Sequence, residues 1–150
     1  MADYAIRRAR REDIDAIVRM LADDQLGATR DDPDDLEPYL RAFDEIDADP
    51  HQLLVVVADG DKPVGTLQLT IIPGLARRGA LRGQIEAVRI HADHRGAGLG
   101  AELMRWAIDE SRRRGCALVQ LTSDTSRTEA HRFYERLGFV PSHTGFKLKI

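Results

Sequence analysis

Residues 94–104, HRGAGLGAELM, join a strand-like segment to a helix-like segment through three closely spaced glycines. The preceding run GQIEAVRIH alternates as a strand does, and apolar side chains recur at helical spacing from Leu99 onward. Amides in the first turn of a helix have no carbonyl partner one turn back. Because Gly96, Gly98 and Gly100 carry no side chain, an anion could approach those amides closely. The pattern predicts a phosphate-binding turn at a helix N-terminus, and a turn whose glycines only permit tight packing is the structural alternative.

Two other phosphate-binding motifs also have glycine-rich turns. A P-loop has a Lys-Ser/Thr pair directly after its glycines, and this chain has none there. GAGLGA does satisfy the dinucleotide-binding fingerprint G-x-G-x-x-G/A, and Asp124 lies at a suitable distance downstream. However, the first glycine follows its strand by several residues, and only about fifty residues remain for the rest of a doubly wound sheet. We therefore favour a phosphate-binding turn that belongs to neither of these two motifs.

Length and composition indicate one globular domain spanning residues 1–150. The chain has 43% hydrophobic and 31% charged residues, and no stretch approaches the ~18 apolar residues of a membrane span. The N-terminus lacks an apolar run of signal-peptide length, so we expect a cytoplasmic protein. Cys116 cannot form an internal disulfide and is expected to be a small buried hydrophobe. The histidines are scattered without companion cysteines, so no metal site is predicted.

Charge is distributed unevenly along the chain. Residues 21–50 contain eleven Asp and Glu against Arg30 and Arg41, although the net charge is only −3. This acidic segment is either a solvated helix with its loops or the source of a field that attracts a cationic ligand. The remainder is rich in arginine, but the net charge and the 5% aromatic content argue against a nucleic-acid surface.

The hydrophobic periodicity predicts the order β-α-α-β-β-β-α-β-α-β-β, which is a mixed sheet with helices on its faces. DGDK indicates a hairpin between two β-rich runs, and Pro33 is expected to open the second helix, which continues to about Phe43. Gly115 is expected to cap the helix that follows the glycine turn, and Gly138 the helix in SRTEAHRFYERLGF. GFKLKI is predicted to be the last strand.

The glycine turn resembles the acetyl-CoA motif Arg/Gln-x-x-Gly-x-Gly/Ala of the GNAT superfamily of N-acetyltransferases, here Arg95-Gly96-Ala97-Gly98-Leu99-Gly100. IEAVRIHADHRGAGLGAELMRWAIDESRRRG is similar to the strand, pyrophosphate loop and helix of that family, and AHRFYERLGF to its late helix and strand. The resemblance covers nearly the whole chain, and the C-terminal end is similar to that of aminoalkylphosphonate acetyltransferases. Arg127 departs from the pattern, since many members have asparagine there.

The resemblance implies an α/β (α+β) fold with a mixed, mostly antiparallel and splayed sheet of about seven strands flanked by about four helices. The pantetheine arm of acetyl-CoA would lie between the strands of Val88 and Leu118, paired with the backbone of Val88 and Ile90. Residues 95–100 would bind the remainder of the cofactor. No metal is implied, and a homodimer is compatible with the family.

The resemblance also implies two catalytic residues, Glu86 as general base and Tyr134 as general acid. Alternation would place Glu86 on one face with Val88 and Ile90, where incomplete solvation would raise its pKa. A backbone N–H near Val88 could stabilise the oxyanion. An exposed charge at a strand end and a core tyrosine are the structural alternatives for the two side chains.

The family acetylates many amines, and we expect direct attack by a primary amine of a small molecule. The loop GLARRGALRG and the tail PSHTGFK are expected to border the acceptor site, with the side chains of Arg77, Arg78, Arg82, Ser142 and His143 as candidate contacts. Arginines facing the pocket would suit an amine that also carries an acid group, whereas the acidic segment would suit a polyamine. A peptide N-acetyltransferase and a non-catalytic acyl-CoA sensor are the alternative functions. No nucleic acid or membrane partner is expected.

Overall fold

The computed structural model describes residues 4–150, which contain one five-stranded sheet in the order β1-β2-β3-β4-β5. The strands are β1 Tyr4–Arg8, β2 Gln52–Asp59, β3 Lys62–Ile72, β4 Leu81–Ile90 and β5 Cys116–Leu121. Neighbouring strands are antiparallel except for β4 and β5, which run parallel. A parallel pair needs a long crossover connection, and here a helix supplies it.

Six helices accompany the sheet in the described residues. They are α1 Ile14–Leu21, α2 Gly27–Arg30, α3 Glu37–Ala48, α4 Ala76–Gly79, α5 Leu99–Arg113 and α6 Thr128–Arg136, with 3-10 turns at Arg11–Asp13 and Ala92–His94. The predicted mixed α/β architecture is confirmed, whereas seven strands and four helices are not found. The helices α2 and α4 have four residues each, too short to produce a periodic pattern.

The second long helix begins later than predicted. It starts at Glu37 rather than at Pro33, and Pro38 lies in its first turn. Proline is tolerated there because first-turn N–H groups have no helical acceptor. The helix packs Phe43 and its apolar neighbours against Val56 of β2. The DGDK hairpin is as predicted, with Gly60 in the left-handed region at φ 61°.

Apolar side chains form two clusters. The cluster beneath α5 joins Leu103 and Met104 to residues of β2, β3 and β4, and all its central members are buried. The second cluster joins α1 and α3 to β2. The helix α5 lies very close to β4, because a Cβ added at Gly83 would collide with the Ser111 hydroxyl. This close packing fixes the glycine turn, which begins α5, beside the end of β4.

The chain after α6 differs from the prediction. Neither the residues directly after Gly138 nor GFKLKI forms a strand, so the two C-terminal strands of the predicted order are absent from the described structure. Every residue from Val140 to Ile150 is exposed. The alternation of GFKLKI is typical of a strand, but no neighbouring segment supplies hydrogen-bond partners for it. Among the helices described for residues 4–150, none is long and apolar enough to cross a membrane.

Candidate active site

The strands β4 and β5 separate halfway along β4. Their pairing ends at Ile85 and Leu121, whereas β4 stays paired with β3 as far as Ile90, opposite Gly65. Residues 86–90 therefore present a backbone edge without a strand partner. The predicted opening in the sheet is confirmed, and we call it the β4–β5 gap.

The direction of the backbone groups at this edge follows from one hydrogen bond. The N–H of His91 donates to the carbonyl of Val64 in β3 at 2.8 Å. Since backbone groups alternate in direction along a strand, those of Val88 and Ile90 point away from β3 and into the gap. The carbonyl of Val88 accepts from Arg89 Nη1 at 3.0 Å, and that of Ile90 from Arg95 Nε at 3.2 Å. This orientation is the one that an extended ligand needs for pairing with β4.

A β-bulge at Ala87 changes which side chains of β4 lie on each face of the sheet. Gln68 is opposite Glu86 and Thr66 is opposite Arg89, so β4 contains one extra residue, and Ala87 has φ 56°. Ile85 and Val88 both pack into the cluster beneath α5, which places Glu86 on the other face. The prediction that Glu86 shares a face with Val88 and Ile90 is wrong, because the extra residue reverses the alternation.

Glu86 is exposed at the mouth of the gap. Its Oε1 accepts a hydrogen bond from Gln84 Nε2 at 2.9 Å, and Gln84 Oε1 in turn accepts from Gln120 Nε2 at 2.9 Å. The expected partial desolvation beside Val88 is therefore not found. Glu86 is the first residue beyond the last β4–β5 pair, so its carboxylate is accessible to water and to any ligand that enters the gap.

The glycine turn forms an open cradle. Gly96 and Gly98 have φ of 86° and 78°, and a Cβ added at either position would meet no atom within 4 Å. The first helical hydrogen bond of α5 runs from the Glu102 N–H to the Gly98 carbonyl at 3.1 Å. The amides of residues 99–101 thus have no helical acceptor, and the positive end of the helix dipole faces the same open space. These features suit the diphosphate of a coenzyme.

Arg95, the predicted cofactor contact next to the cradle, is exposed. Its Nε is bonded to the Ile90 carbonyl, and its Nη2 lies 3.8 Å from Asp23 Oδ2. The guanidinium therefore remains available at the rim of the cradle, although Asp23 offsets part of its charge.

The helix α6 carries Tyr134 beside Phe133, and Phe133 contacts the start of α5. Phe133 is next to Gly100, since a Cβ added there would lie 3.5 Å from the Phe133 ring. The Tyr134 ring packs edge-on against Phe133 and Phe139, with centroid distances of 5.3 and 6.1 Å. Burial raises the pKa of Tyr134, and the positive charges of Arg89 and Arg127 only partly counteract it. The phenol is consequently neutral at physiological pH and can donate a hydrogen bond.

Asp24, Arg89 and Arg127 form a cluster that sequence reasoning missed. Arg127 Nη2 lies 3.0 Å and Arg89 Nε 3.6 Å from Asp24 Oδ2, and the Gly27 N–H donates to the same carboxylate. Burial acts to raise the pKa of Asp24, but the Gly27 amide and the two arginines outweigh it, so the net pKa is lowered. We call these three residues the arginine–aspartate cluster. The only sign of this cluster in the sequence was Arg127, which stands where many members of the resembled family have asparagine.

The arginine–aspartate cluster carries an excess positive charge near Tyr134. Two guanidiniums face one carboxylate, and Arg89 is mostly buried, with its Nε lacking a hydrogen-bond partner in the described structure. Burial lowers the pKa of Arg89, and the nearby Arg127 charge lowers it further. A guanidinium held in this way favours an anionic ligand group.

The candidate acceptor contacts are dispersed. Arg77 and Arg78 are exposed in the short turn α4, where both adopt left-handed backbone angles, and Arg82 is half-buried in β4. Ser142 and His143 lie in the exposed tail and bond to each other at 2.6 Å.

Cys116 is half-buried rather than buried, and burial raises the pKa of its thiol. Within residues 4–150, no three His, Cys, Asp or Glu side chains are grouped to hold a metal ion.

Comparison with known proteins places these features in a family. The model of the Acetyltransferase (GNAT) family matches residues 14–139. An aminoalkylphosphonate N-acetyltransferase from Salmonella typhimurium is 38% identical over 64 residues, covering 43% of this chain and 42% of the relative. A glucosamine 6-phosphate N-acetyltransferase from Trypanosoma brucei brucei is 41% identical over 76 residues, covering 51% and 50%. The chain thus matches about half the length of these curated relatives.

A solved structure is similar over the whole chain. The crystal structure of a protein from Bacillus halodurans C-125, described as a transcriptional regulator, is 44% identical and superposes with a TM-score of 0.95, covering 99% of this chain and 100% of that one. The family match spans most of the chain and includes the gap, the glycine turn and α6. The chain belongs to the Acetyltransferase (GNAT) family.

Proposed function

We propose that this protein transfers the acetyl group of acetyl-CoA to the primary amine of a small molecule, by direct attack within a ternary complex. The observation that carries the proposal is the open β4 edge leading into the glycine cradle. An extended pantetheine arm can pair with Val88 and Ile90 while the diphosphate binds the amides that begin α5. Arg95 at the rim would contact the same diphosphate.

Three groups around the gap could perform the chemistry. The Val88 N–H would donate to the thioester oxygen as negative charge develops on it. Glu86 would accept the proton lost by the attacking amine, through a water molecule because the carboxylate is exposed. Tyr134 would donate a hydrogen bond to the departing thiolate. The C–S bond breaks as the C–N bond forms, and the amine proton passes to Glu86 and then to solvent.

An amine that also carries an acidic group fits the charges at the site. The arginine–aspartate cluster holds two positive charges against one negative charge beside Tyr134. Meanwhile, two acidic side chains of the 21–50 segment have cationic partners, since Asp44 pairs with Arg11 and Glu37 pairs with Arg41. The field that would attract a polyamine is thereby reduced. Two relatives are named for amines bearing a phosphonate or a phosphate.

The decisive experiment incubates the protein with acetyl-CoA and a panel of amines and measures free thiol. The panel contains aminoalkylphosphonates, an amino-sugar phosphate, amino acids, polyamines and short peptides. We expect amine-dependent thiol release, fastest with acid-bearing amines. Binding of acetyl-CoA without thiol release for any amine would favour the sensor, and release only with peptides would favour a peptide acetyltransferase.

A further inference from the structure

Arg89 lies on the same face of β4 as Glu86. Val88, which precedes Arg89, packs into the cluster beneath α5, so the Arg89 side chain extends from the opposite face of the sheet. The β-bulge puts Glu86 on that face as well. Their partners in β3 are Gln68 and Thr66, two residues apart, so the two β4 positions are separated by about 7 Å. The proposed base and Arg89 are therefore neighbours on one face.

The guanidinium of Arg89 reaches the edge of the β4–β5 gap. Its Nη1 donates at 3.0 Å to the Val88 carbonyl, which points into the gap. Burial raises the pKa of Tyr134 and the Arg89 charge partly counteracts this, which shows that the two side chains are close to each other. The guanidinium thus adjoins both the backbone edge that would bind the thioester and the proposed acid.

Most of the hydrogen-bonding capacity of Arg89 is unused. A guanidinium has five N–H donors, and within residues 4–150 Arg89 donates one hydrogen bond, the one to Val88. Its Nε is enclosed and has no acceptor, since Asp24 Oδ2 is 3.6 Å away. Only 18% of the side chain is exposed, so water solvates the group poorly. Buried donors without acceptors are costly, and a two-oxygen acid group at Nη1 and Nη2 would supply acceptors.

The charge around Arg89 also favours an anion. Among the described residues, Asp24 is the only carboxylate that forms an ion pair with Arg89 or with Arg127. Two guanidiniums therefore share one negative charge, and a second negative charge would relieve their repulsion. The diphosphate of the coenzyme is expected at the glycine cradle, beside Arg95, so this second charge must come from another molecule.

We propose that Arg89 binds the acid group of the acceptor and so holds the amine at the thioester, an inference that rests on the proposed acetyl transfer. The acid group accepts hydrogen bonds from Nη1 and Nη2, while Asp24 and Arg127 keep the guanidinium in place. The amine lies beside the Val88 N–H. Adjacent Cα atoms are only about 3.8 Å apart, so a spacer of about one to three carbon atoms joins the amine to the acid. The favoured acceptors are compact aminoalkyl acids, and polyamines and protein lysines are poor ones.

The wild-type protein provides the first test. Aminoalkyl carboxylates and aminoalkyl phosphonates with short and with long spacers are each compared with the amino alcohol of the same length. We expect kcat/KM to be at least roughly tenfold higher for the short acids than for their amino alcohols. The advantage should disappear with long spacers. Equal kcat/KM for acids and alcohols, or a preference that is independent of spacer length, overturns the proposal.

Substitution of Arg89 provides the second test. Arg89→Met removes the charge, and the ratio of kcat/KM for short acids to that for amino alcohols should fall by roughly 10- to 100-fold, mainly through KM. Arg89→Lys keeps the charge without the planar fork and should give an intermediate ratio. Arg114→Met is the control, because Arg114 pairs with Glu110 at the opposite end of α5 and should leave the ratio unchanged. An equal loss for acids and alcohols, or a loss of acetyl-CoA affinity, overturns the assignment of Arg89 to the acceptor.

A binding measurement separates this inference from the proposed function. Coenzyme A has no acetyl group to transfer, so calorimetric titration of a short aminoalkyl acid into the protein saturated with coenzyme A reports binding alone. Wild type and Arg114→Met should bind the acid at least roughly tenfold more tightly than Arg89→Met does. Binding through Arg89 without thiol release for any amine would contradict only the proposed function. Thiol release without tighter binding of the acid than of its amino alcohol would contradict only this inference. Circular dichroism confirms folding, and if Arg89→Met does not fold, Arg89→Lys and the wild-type comparison decide.

Discussion

Arg127 Nη2 lies 3.0 Å from Asp24 Oδ2, and this contact joins the residue preceding α6 to the segment between α1 and α2. Arg89 of β4 approaches the same carboxylate. Three distant parts of the chain therefore meet at one acidic side chain. Because α6 carries Tyr134, the arginine–aspartate cluster positions the proposed acid relative to the β4–β5 gap.

Replacing Arg127 by Gln should affect both stability and turnover. The variant loses a charge-assisted hydrogen bond at a partly exposed site, so we expect about 1 kcal/mol of destabilisation. Turnover should fall as α6 becomes less well fixed, while Glu86 is untouched. Denaturant unfolding and steady-state kinetics measure the two effects. Arg112→Gln is the control, because its pair with Asp109 is largely exposed and should contribute little. Equal effects of the two substitutions would contradict a positioning role for Arg127.

Gly98→Val should abolish the stabilisation of the protein by acetyl-CoA. A ligand that binds only the folded state stabilises it by about 2.7 kcal/mol at a hundredfold excess over its Kd. A valine here would fill the open side of the cradle, besides straining a residue at φ 78°. Gly60→Val is the matched control, since Gly60 has φ 61° in the distant hairpin and also faces open space. Thermal shift assays should show that only Gly98→Val loses the cofactor response.

Glu86→Gln should lower turnover by roughly a hundredfold while leaving acetyl-CoA affinity nearly unchanged. The amide retains the shape and the hydrogen bond from Gln84 but cannot accept the amine proton. Glu37→Gln in the exposed first turn of α3 serves as the control. Normal turnover of the Glu86 variant would mean that another group or bulk water is the base.

Asp13 provides a stability prediction away from the site. This buried carboxylate accepts from Arg7 Nη1 at 2.7 Å, from Arg7 Nη2 at 3.1 Å and from the Arg10 N–H at 2.7 Å. Burial acts to raise the pKa of Asp13, but these hydrogen bonds dominate and lower it. Its contribution is therefore fully present above the unfolded pKa of about 3.9, and it is lost as the pH falls through the lower folded pKa.

Asp13→Asn should accordingly cost about 1.5–3 kcal/mol at neutral pH, because bonds to a charged acceptor become neutral ones. The difference from wild type should shrink in acid. Denaturant unfolding at several pH values tests this, with Asp44→Asn as the control, since its pair with Arg11 is exposed. A difference that is independent of pH would contradict the assigned titration.

Features of the fold that depend on local sequence were predictable. The β2–β3 hairpin follows from DGDK between apolar runs, and the cradle follows from its glycines and the helical spacing after them. Contacts between residues that are distant in the sequence were not predictable. The contact between Asp24 and Arg127 joins residues 103 positions apart, which no local pattern encodes.

Two predictions were wrong for different physical reasons: that Glu86 shares a face with Val88 and Ile90, and that GFKLKI forms a strand. Ala87 adopts φ 56° although alanine has no intrinsic preference for that region, so the reversed faces of β4 had no local signal. In residues 145–150 the alternation of GFKLKI is typical of a strand, but alternation does not determine pairing, and this segment pairs with no strand in the described structure.

Tyr134→Phe tests the proposed acid. A thiol leaving group has a pKa near the cysteine value of about 8.5, whereas tyrosine is near 10. Because burial raises the pKa of Tyr134 further, complete proton transfer to the thiolate would be uphill, and hydrogen-bond donation is the main contribution that we expect. Removing one such donor should lower turnover by roughly tenfold to a thousandfold.

Affinity for acetyl-CoA should hardly change in Tyr134→Phe, since the ring and its edge-on contacts with Phe133 and Phe139 remain. The raised pKa also means that ionisation of Tyr134 should not limit activity below about pH 10. Tyr39→Phe in α3 controls for the loss of a phenol away from the gap, where the hydroxyl donates to Asp31. Steady-state and single-turnover kinetics measure the effect. Wild-type rates in a folded Tyr134→Phe protein, with chemistry rate-limiting, would leave Tyr134 as a residue that only packs against the cluster beneath α5.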